Sequence, residues 1–268
     1  MTALRNRNVG RSYRGEGLPE PPCTERFKLT IEYDGTDFYG WQSQPDVRTV
    51  QDELEAALRT IFQDRVVVYG AGRTDAGVHA SGQVAHITLP RAFSLPRLVR
   101  GLNSILPRDV KILNGVAVPP TFHARFSARS RTYVYRVLRC ERPLLTRFAW
   151  CPGFDWDDAV IARAVEMLRG RHSFISFSRT RPGEEGYICD IFDASWETDP
   201  EGSWFRITAD RFMHRMVRGL MGALIDLGRG YYTPDDFHRL LEHPSRVSAV
   251  RVAPARGLVL VGVSYSAE

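Results

Sequence analysis

Segments with an apolar period of two and segments with a period near 3.6 follow one another along this chain in the order β-α-β-β-α-β, and that order recurs roughly twice. Phe27, Leu29, Ile31 and Tyr33 alternate with Lys28, Thr30 and Glu32, the pattern of a strand with one buried face. Asp34-Gly35 ends it in a turn. Thr49 is placed to cap a helix whose apolar face is Val50, Leu54, Leu58 and Ile61, with Asp52 three residues after the cap. Strands are expected at 66–69 and 83–89 with a glycine-rich loop, 70–82, between them, then a helix over 95–105 and a strand over 110–118. Further strands are expected at 132–138, 191–196, 204–209 and 258–265. Asp155 should cap a helix that reaches about Leu168 and stops at Gly170. Another helix, from about Met213 to Leu227, carries Met216, Leu220, Ala223 and Leu227 on one face, and Thr233-Pro234 opens a short one. This order implies an α+β fold with two related halves. No repeat is visible residue by residue, so the duplication is one of topology.

The remaining sequence narrows the class. With 268 residues, 43% hydrophobic and 25% charged, the chain has the composition of a globular protein able to bury a substantial core. Collagen-like, coiled-coil and wholly disordered classes are excluded. No apolar stretch approaches the roughly 18 residues of a membrane span, so no membrane is expected. Residues 1–26 read as a flexible basic, proline-rich tail, with 27–128 and 129–268 as the two halves of the globular part. No apolar segment follows the arginines of the tail, which does not read as a signal peptide, and a cytoplasmic protein is expected. Four cysteines without a Cys-x-x-Cys pair give neither a zinc signature nor a disulfide framework, and no metal site is expected. The net charge is only +5, but 34 of the 36 basic residues are arginine. Arginine forks bind phosphate and stack on bases, although a coding bias would give the same composition. Arg125, Arg129, Arg131, Arg136 and Arg139 read as a phosphate-tracking stripe, or more plainly as a solvated strand face.

Chemistry concentrates in Gly70-Ala71-Gly72-Arg73-Thr74-Asp75-Ala76-Gly77-Val78-His79-Ala80. Glycines there let the backbone turn sharply and let a substrate approach. Asp75 can be aimed into a cleft as a nucleophile or base, and Arg73, two residues away, is placed to pair with it and keep it ionised. No Gly-Lys-Ser/Thr follows, so this is not a P-loop, and the glycine spacing is wrong for a dinucleotide fingerprint. The plainer reading is a strand-connecting turn.

Several longer motifs stand in order along the chain. They are Ile31-Glu32-Tyr33-Asp34-Gly35-Thr36 with Tyr39-Gly40-Trp41-Gln42, then Gly72 to Ala80, then Phe122-His123-Ala124-Arg125-Phe126-Ser127-Ala128. Arg131-Thr132-Tyr133-Val134-Tyr135 and Phe212-Met213-His214-Arg215-Met216-Val217-Arg218 follow. From about Phe27 to Tyr265 the chain resembles the bacterial tRNA pseudouridine synthase A family. The resemblance implies two ferredoxin-like halves in one mixed, mostly antiparallel sheet with a basic cleft. It implies isomerisation of uridine to pseudouridine in the anticodon stem-loop of tRNA, at positions 38, 39 and 40, by a homodimer that needs no cofactor. It implies Asp75 as the catalytic aspartate, Arg218 as the cation paired with it, and Tyr133 as the aromatic that stacks on the target uracil. Arg73 would assist base flipping, and His79 and Arg125 would contact the substrate.

The residue types suit that chemistry. The N1–C1′ bond must break, the base must rotate and C5 must join C1′, so no atom is gained. The base must also leave its stack. Plainer readings accompany each residue: a core tyrosine for Tyr133, an ordinary helix position for Arg218, structural histidines for His123 and His214, and core packing for Tyr39 and Trp41. The chain departs from the family at Pro182–Asp190, where Cys189 stands about where an arginine is expected. Two other classes compete: a non-catalytic tRNA-binding or tRNA-folding protein on the same fold, and a hydrolase using Asp75 on a glycosidic bond. The latter normally needs a second carboxylate, and none is obviously placed.

Overall fold

A computed structural model describes residues 25–179, 188–245 and 250–265. The tail expected at 1–26 lies outside the described residues except for Glu25 and Arg26, and most of the atypical 182–190 segment lies outside them too. The chain runs β1 (Arg26–Tyr33), α1 (Val50–Phe62), β2 (Tyr69–Gly70), β3 (His79–Thr88), α2 (Leu95–Ile105), β4 (Val110–Val118) and β5 (Ala128–Leu138). It continues through α3 (Asp158–Glu166), β6 (Gly170–Ser173), β7 (Ile188–Asp199), β8 (Gly202–Ala209), α4 (Met216–Gly228), α5 (Pro234–Glu242) and β9 (Leu258–Tyr265).

Among the described residues, nine strands form one sheet in the order β4-β1-β3-β9-β5-β8-β7-β6, with β2 also on β3. The twofold topology is visible in that order. Strands β1 to β4 lie as β4-β1-β3-β2, and β5, β7, β8 and β9 lie as β9-β5-β8-β7. In each set the fourth strand neighbours the first, the first the third, and the third the second, which is the ferredoxin-like arrangement. Strand β6 and helix α5 are additions to the second set. The sets join where β3 runs parallel to β9 over His79↔Val259 and Ala80↔Leu260. The other pairs of named strands are antiparallel.

Local chemistry explains where elements begin and where expectations shift. Thr49 accepts from the Asp52 N–H and starts α1. Thr233 and Asp236 form a full capping box on α5. The cap of α3 is Asp157, whose carboxylate accepts from the Ala159 and Val160 N–H groups at 2.8 and 3.1 Å. Asp155, expected there, instead faces Arg139. Trp156 packs into the core between the two aspartates, so the chain turns helical only after it. Val66–Val68 forms no strand. The Val68 N–H donates to Glu55 Oε1 at 3.0 Å and its carbonyl accepts from Gln51 at 3.2 Å. Helix side chains therefore satisfy groups that a ladder would otherwise use, and only Tyr69–Gly70 pairs. Helix α4 begins at Met216 rather than Met213, because Arg215 takes the left-handed conformation (φ 60°) just before it.

The core is apolar side chains of β1, β3, β5 and β8 packed against Leu54 and Leu58 of α1, Leu98 and Leu102 of α2, Ile161 of α3 and Leu220 and Leu224 of α4. Helix α4 is buried almost all round: from Met216 to Leu227 every residue but Arg218 is buried. A charge in such a helix needs a partner, and that requirement leads to the site.

Candidate active site

The Asp75 loop is held by the segment after β1. Trp41 N–H donates to the Thr74 carbonyl at 3.1 Å, and Gly77 N–H to the Phe38 carbonyl at 3.2 Å. The Tyr33 and Thr74 hydroxyls share a hydrogen bond of 2.8 Å, and burial pushes the Tyr33 phenol up to about 12. Gly40 lies against this loop at φ 93°, and a Cβ there would stand 2.5 Å from the Thr74 carbonyl oxygen. Both its backbone angle and its clearance require glycine. The motifs Tyr33-Asp34-Gly35 and Tyr39-Gly40-Trp41 are thus the clamp on the loop. Trp41 is core, whereas Tyr39 is exposed.

Asp75 projects into a cleft of about 1110 Å³ at the junction of the two halves. Arg218 crosses from α4, its Nη1 donating to Asp75 Oδ2 at 3.0 Å and its Nε to the Ala253 carbonyl at 2.8 Å. Arg73, expected as the partner of Asp75, makes no ion pair with it; the residue lines the cleft as an exposed cation. Tyr133, on β5, also lines the cleft, though it is buried. Phe212 meets its ring edge-on, with centroids 5.1 Å apart. Burial lifts the Tyr133 phenol far above its ordinary range, with the charges of Tyr33 and Asp75 adding to the shift. The phenol therefore keeps its proton at neutral pH.

Among the described residues, seven arginines line the cleft against two aspartates. Arg125 is among them and exposed. Arg131 is a staple rather than a free cation, donating to the carbonyls of Ala71, Arg125 and Asp210 at 2.9, 2.8 and 2.8 Å. The expected stripe divides. Arg136 is buried on Asp199 and stacked on Trp204 at 4.0 Å, and Arg139 is paired with Asp158 and stacked on Trp156 at 4.4 Å. Neither lines the cleft.

His79, expected at the substrate, is brought elsewhere. It lies buried in β3, accepting at Nδ1 from the Gly35 N–H at 3.0 Å, with its ring 4.8 Å from that of Phe148. Burial lowers its pKa, so the ring is neutral. It is not among the residues lining the cleft. His214, read from sequence as structural, is instead half-exposed in the cleft with Nε2 3.5 Å from Asp75 Oδ1. It stands in the turn just before α4, so no helical spacing from Arg218 marked it in the sequence.

Cys189 packs in the core with Sγ 3.3 Å from Met213 Sδ and 3.7 Å from Met216 Sδ. Burial, then the nearby Asp210 charge, pushes its thiol up to about 12. Only the thiolate reacts with alkylating agents. Iodoacetamide at pH 8 should therefore label exposed Cys140 and leave Cys189 unmodified in the folded protein, as read by peptide mass mapping. Among the described residues, no group of three or more His, Cys, Asp or Glu side chains is arranged to hold a metal ion.

The family model described as tRNA pseudouridine synthase matches residues 29–127 and 164–266. Three relatives named tRNA pseudouridine synthase A align over nearly their whole length. That of Chlorobaculum tepidum is 42% identical over 89% of this chain and 97% of its own. That of Bacillus licheniformis is 38% identical over 90% and 99%, and that of Bacteroides fragilis 37% identical over 91% and 98%. The matched segments carry the Asp75 loop, Arg218 and the β3–β9 junction. The chain belongs to the tRNA pseudouridine synthase family.

Proposed function

We propose that this protein isomerises uridine to pseudouridine in the anticodon stem-loop of tRNA, at positions 38, 39 and 40, with Asp75 as the nucleophile or base. The observation that carries this reading is the Asp75–Arg218 ion pair of 3.0 Å in an arginine-lined cleft beside Tyr133. Arg218 holds one carboxylate oxygen, so the other faces the cleft with His214 nearby. Tyr133 supplies a ring to keep the detached uracil in place. Arg73 and Arg125 offer exposed charges to phosphates as the target base leaves its stack. No redox change or added group is required, because the N1–C1′ bond is replaced by a C5–C1′ bond, the C5 hydrogen leaves as a proton and N1 takes up a proton.

Two finer statements accompany this reading. The family resemblance implies a homodimer in which one copy docks the tRNA that the other modifies, which sedimentation of the full chain with and without tRNA tests. It also implies a cytoplasmic enzyme; no helix among the described residues is long and apolar enough to cross a membrane.

The test is tritium release from tRNA transcripts labelled at uridine C5. Carbon–carbon rejoining must expel that hydrogen, so release reports isomerisation directly. Release from transcripts carrying uridine at these positions, lost when the positions are changed to cytidine, supports the proposal. Tight binding without release from any such tRNA would favour a non-catalytic RNA-binding protein. Free uracil among the products would favour hydrolysis.

A further inference from the structure

One wall of the cleft is aromatic and is not used by the chemistry at Asp75. Tyr69, half-exposed, stacks on His86 with centroids 4.9 Å apart and planes 13° apart. His123 stands edge-on to His86 at 4.6 Å, lies 5.7 Å from Tyr69 and carries Phe126 at 4.4 Å. Tyr69, His123 and Phe126 line the cleft over the buried His86 ring, and Phe126, at 76% exposure, is the outer end of the cluster.

The turn that presents Phe126 is firmly built. Ser127 N–H donates to the His123 carbonyl at 2.9 Å, and His123 N–H to Ser127 Oγ at 3.0 Å. Arg125 N–H donates to His123 Nδ1 at 3.2 Å, and Ala124 N–H to His86 Nδ1 at 3.1 Å, which ties the turn to β3. A large ring held out in water by such a turn is unfavourable until something covers it. The Arg125 guanidinium lies 5.8 Å from the Phe126 ring, and both line the basic cleft. Burial, then neighbouring positive charge, lowers both imidazoles, His86 to about 4, so near neutral pH the partly exposed His123 ring and the buried His86 ring behind it are uncharged. Aromatic faces interleaved with cations along one groove are how proteins hold unpaired nucleotides. When a target base leaves its stack, its neighbours lose a stacking partner.

We propose that Phe126, backed by His123 and Tyr69, is a stacking platform for an unpaired tRNA base flanking the target uridine, with Arg125 on that nucleotide's phosphate. This rests on the tRNA reading given above and adds to it a subsite. The occupant follows from the charge of the cleft, where arginines outnumber aspartates among the described residues and Arg73 and Arg125 are exposed beside the rings, which suits a polyanion.

The experiment measures Kd for an unmodified full-length tRNA transcript by fluorescence anisotropy between about 50 and 250 mM salt, with KM from tritium release. Phe126→Ala should weaken Kd and raise KM about tenfold, by the same factor at each salt concentration. Phe126→Tyr should restore both to within about twofold, because the ring is kept. Arg125→Ala should instead flatten the slope of log Kd against log salt by about one. Phe126 is exposed, so its truncation leaves the core intact.

A Kd and KM within twofold of wild type for Phe126→Ala, or a loss that Phe126→Tyr does not restore, would overturn the platform. So would sedimentation showing that Phe126→Ala splits a larger species into a smaller one, which would assign the ring to a contact between copies. Wild-type tritium release, read alongside, separates the two failures. No release with a Phe126-dependent Kd overturns the enzymatic reading alone. Release with a Phe126-independent Kd and KM overturns the platform alone.

Discussion

Asp75→Asn should lower tritium release by at least about 10³-fold while the Kd for tRNA changes by less than about threefold. The expectation follows from what the substitution removes and what it leaves. Asparagine keeps the size of aspartate and keeps an oxygen able to accept from Arg218 Nη1. The loop is anchored through Thr74, Gly77 and Val78, whose contacts do not involve the Asp75 carboxylate. The fold of the loop and the arginines of the cleft are therefore retained, and with them the electrostatic part of binding. What is lost is a carboxylate able to attack or to take a proton, which an amide cannot replace. Anisotropy with the same labelled transcript gives the binding half of the result. Release within tenfold of wild type would remove Asp75 from the chemistry. Loss of release together with loss of binding would make it a docking residue instead.

The parts of this molecule that were legible in its sequence are those set by neighbouring residues. Helix α2 falls at 95–105 as expected because Pro96 in its first turn and the apolar repeat through Leu98 and Leu102 specify it locally. The Asp75 loop stood out as glycines among ionisable side chains, although a strand-connecting turn fitted the same residues, and Asp75 does line the cleft. Failures came where distant segments decide. The glycine-rich stretch was expected to stay a loop through Gly82, yet β3 begins at His79. A Cβ at Gly82 would stand 2.3 Å from the Val261 carbonyl oxygen, so this glycine allows β3 and β9 to approach closely rather than opening a loop. Nothing near residue 82 announces a partner at 261. The same holds for His79, which reads as a loop histidine and is buried because its strand is central. Likewise β6, four residues with no apolar alternation, exists through its pairing with β7.

The site divides in the same way. Asp75 stands out within its own loop, but Arg218, 143 residues away, could be joined to it only through the resemblance to a known family. The local guess, Arg73, was the nearest cation in sequence and not the nearest in space. Arg136 and Arg139 show the opposite error. Their clustering with Arg125 and Arg129 looked like one stripe, but Asp199 and Asp158, brought up by β7 and α3, already neutralise them. Counting charges along a strand cannot reveal which of them folding has paired.

Arg218→Lys should reduce kcat by about 10²-fold, near 2.7 kcal/mol in activation free energy, with tRNA affinity within about threefold of wild type. Charge is conserved, so the prediction turns on geometry. The guanidinium serves two acceptors at once: Nε is fixed on the Ala253 carbonyl at 2.8 Å and Nη1 reaches Asp75 at 3.0 Å. The Ala253 N–H in turn donates to the Arg218 carbonyl at 3.0 Å, so helix and strap hold each other in place. A lysine has one terminal ammonium and no second nitrogen along its stem. Whichever acceptor it satisfies, the other loses its partner, and the carboxylate loses either its Arg218 contact or the anchor that aims that contact. Misplacement of a reacting group by about an ångström is enough for a loss of this order. Arg218→Met should cost more than Arg218→Lys, because it leaves both acceptors without a cation inside an otherwise buried helix turn. It should also lower the melting temperature, whereas Arg218→Lys should lower it less. If Arg218→Lys instead turned over within threefold of wild type, the positive charge alone would account for the role of this residue, and the fork would not be what orients Asp75.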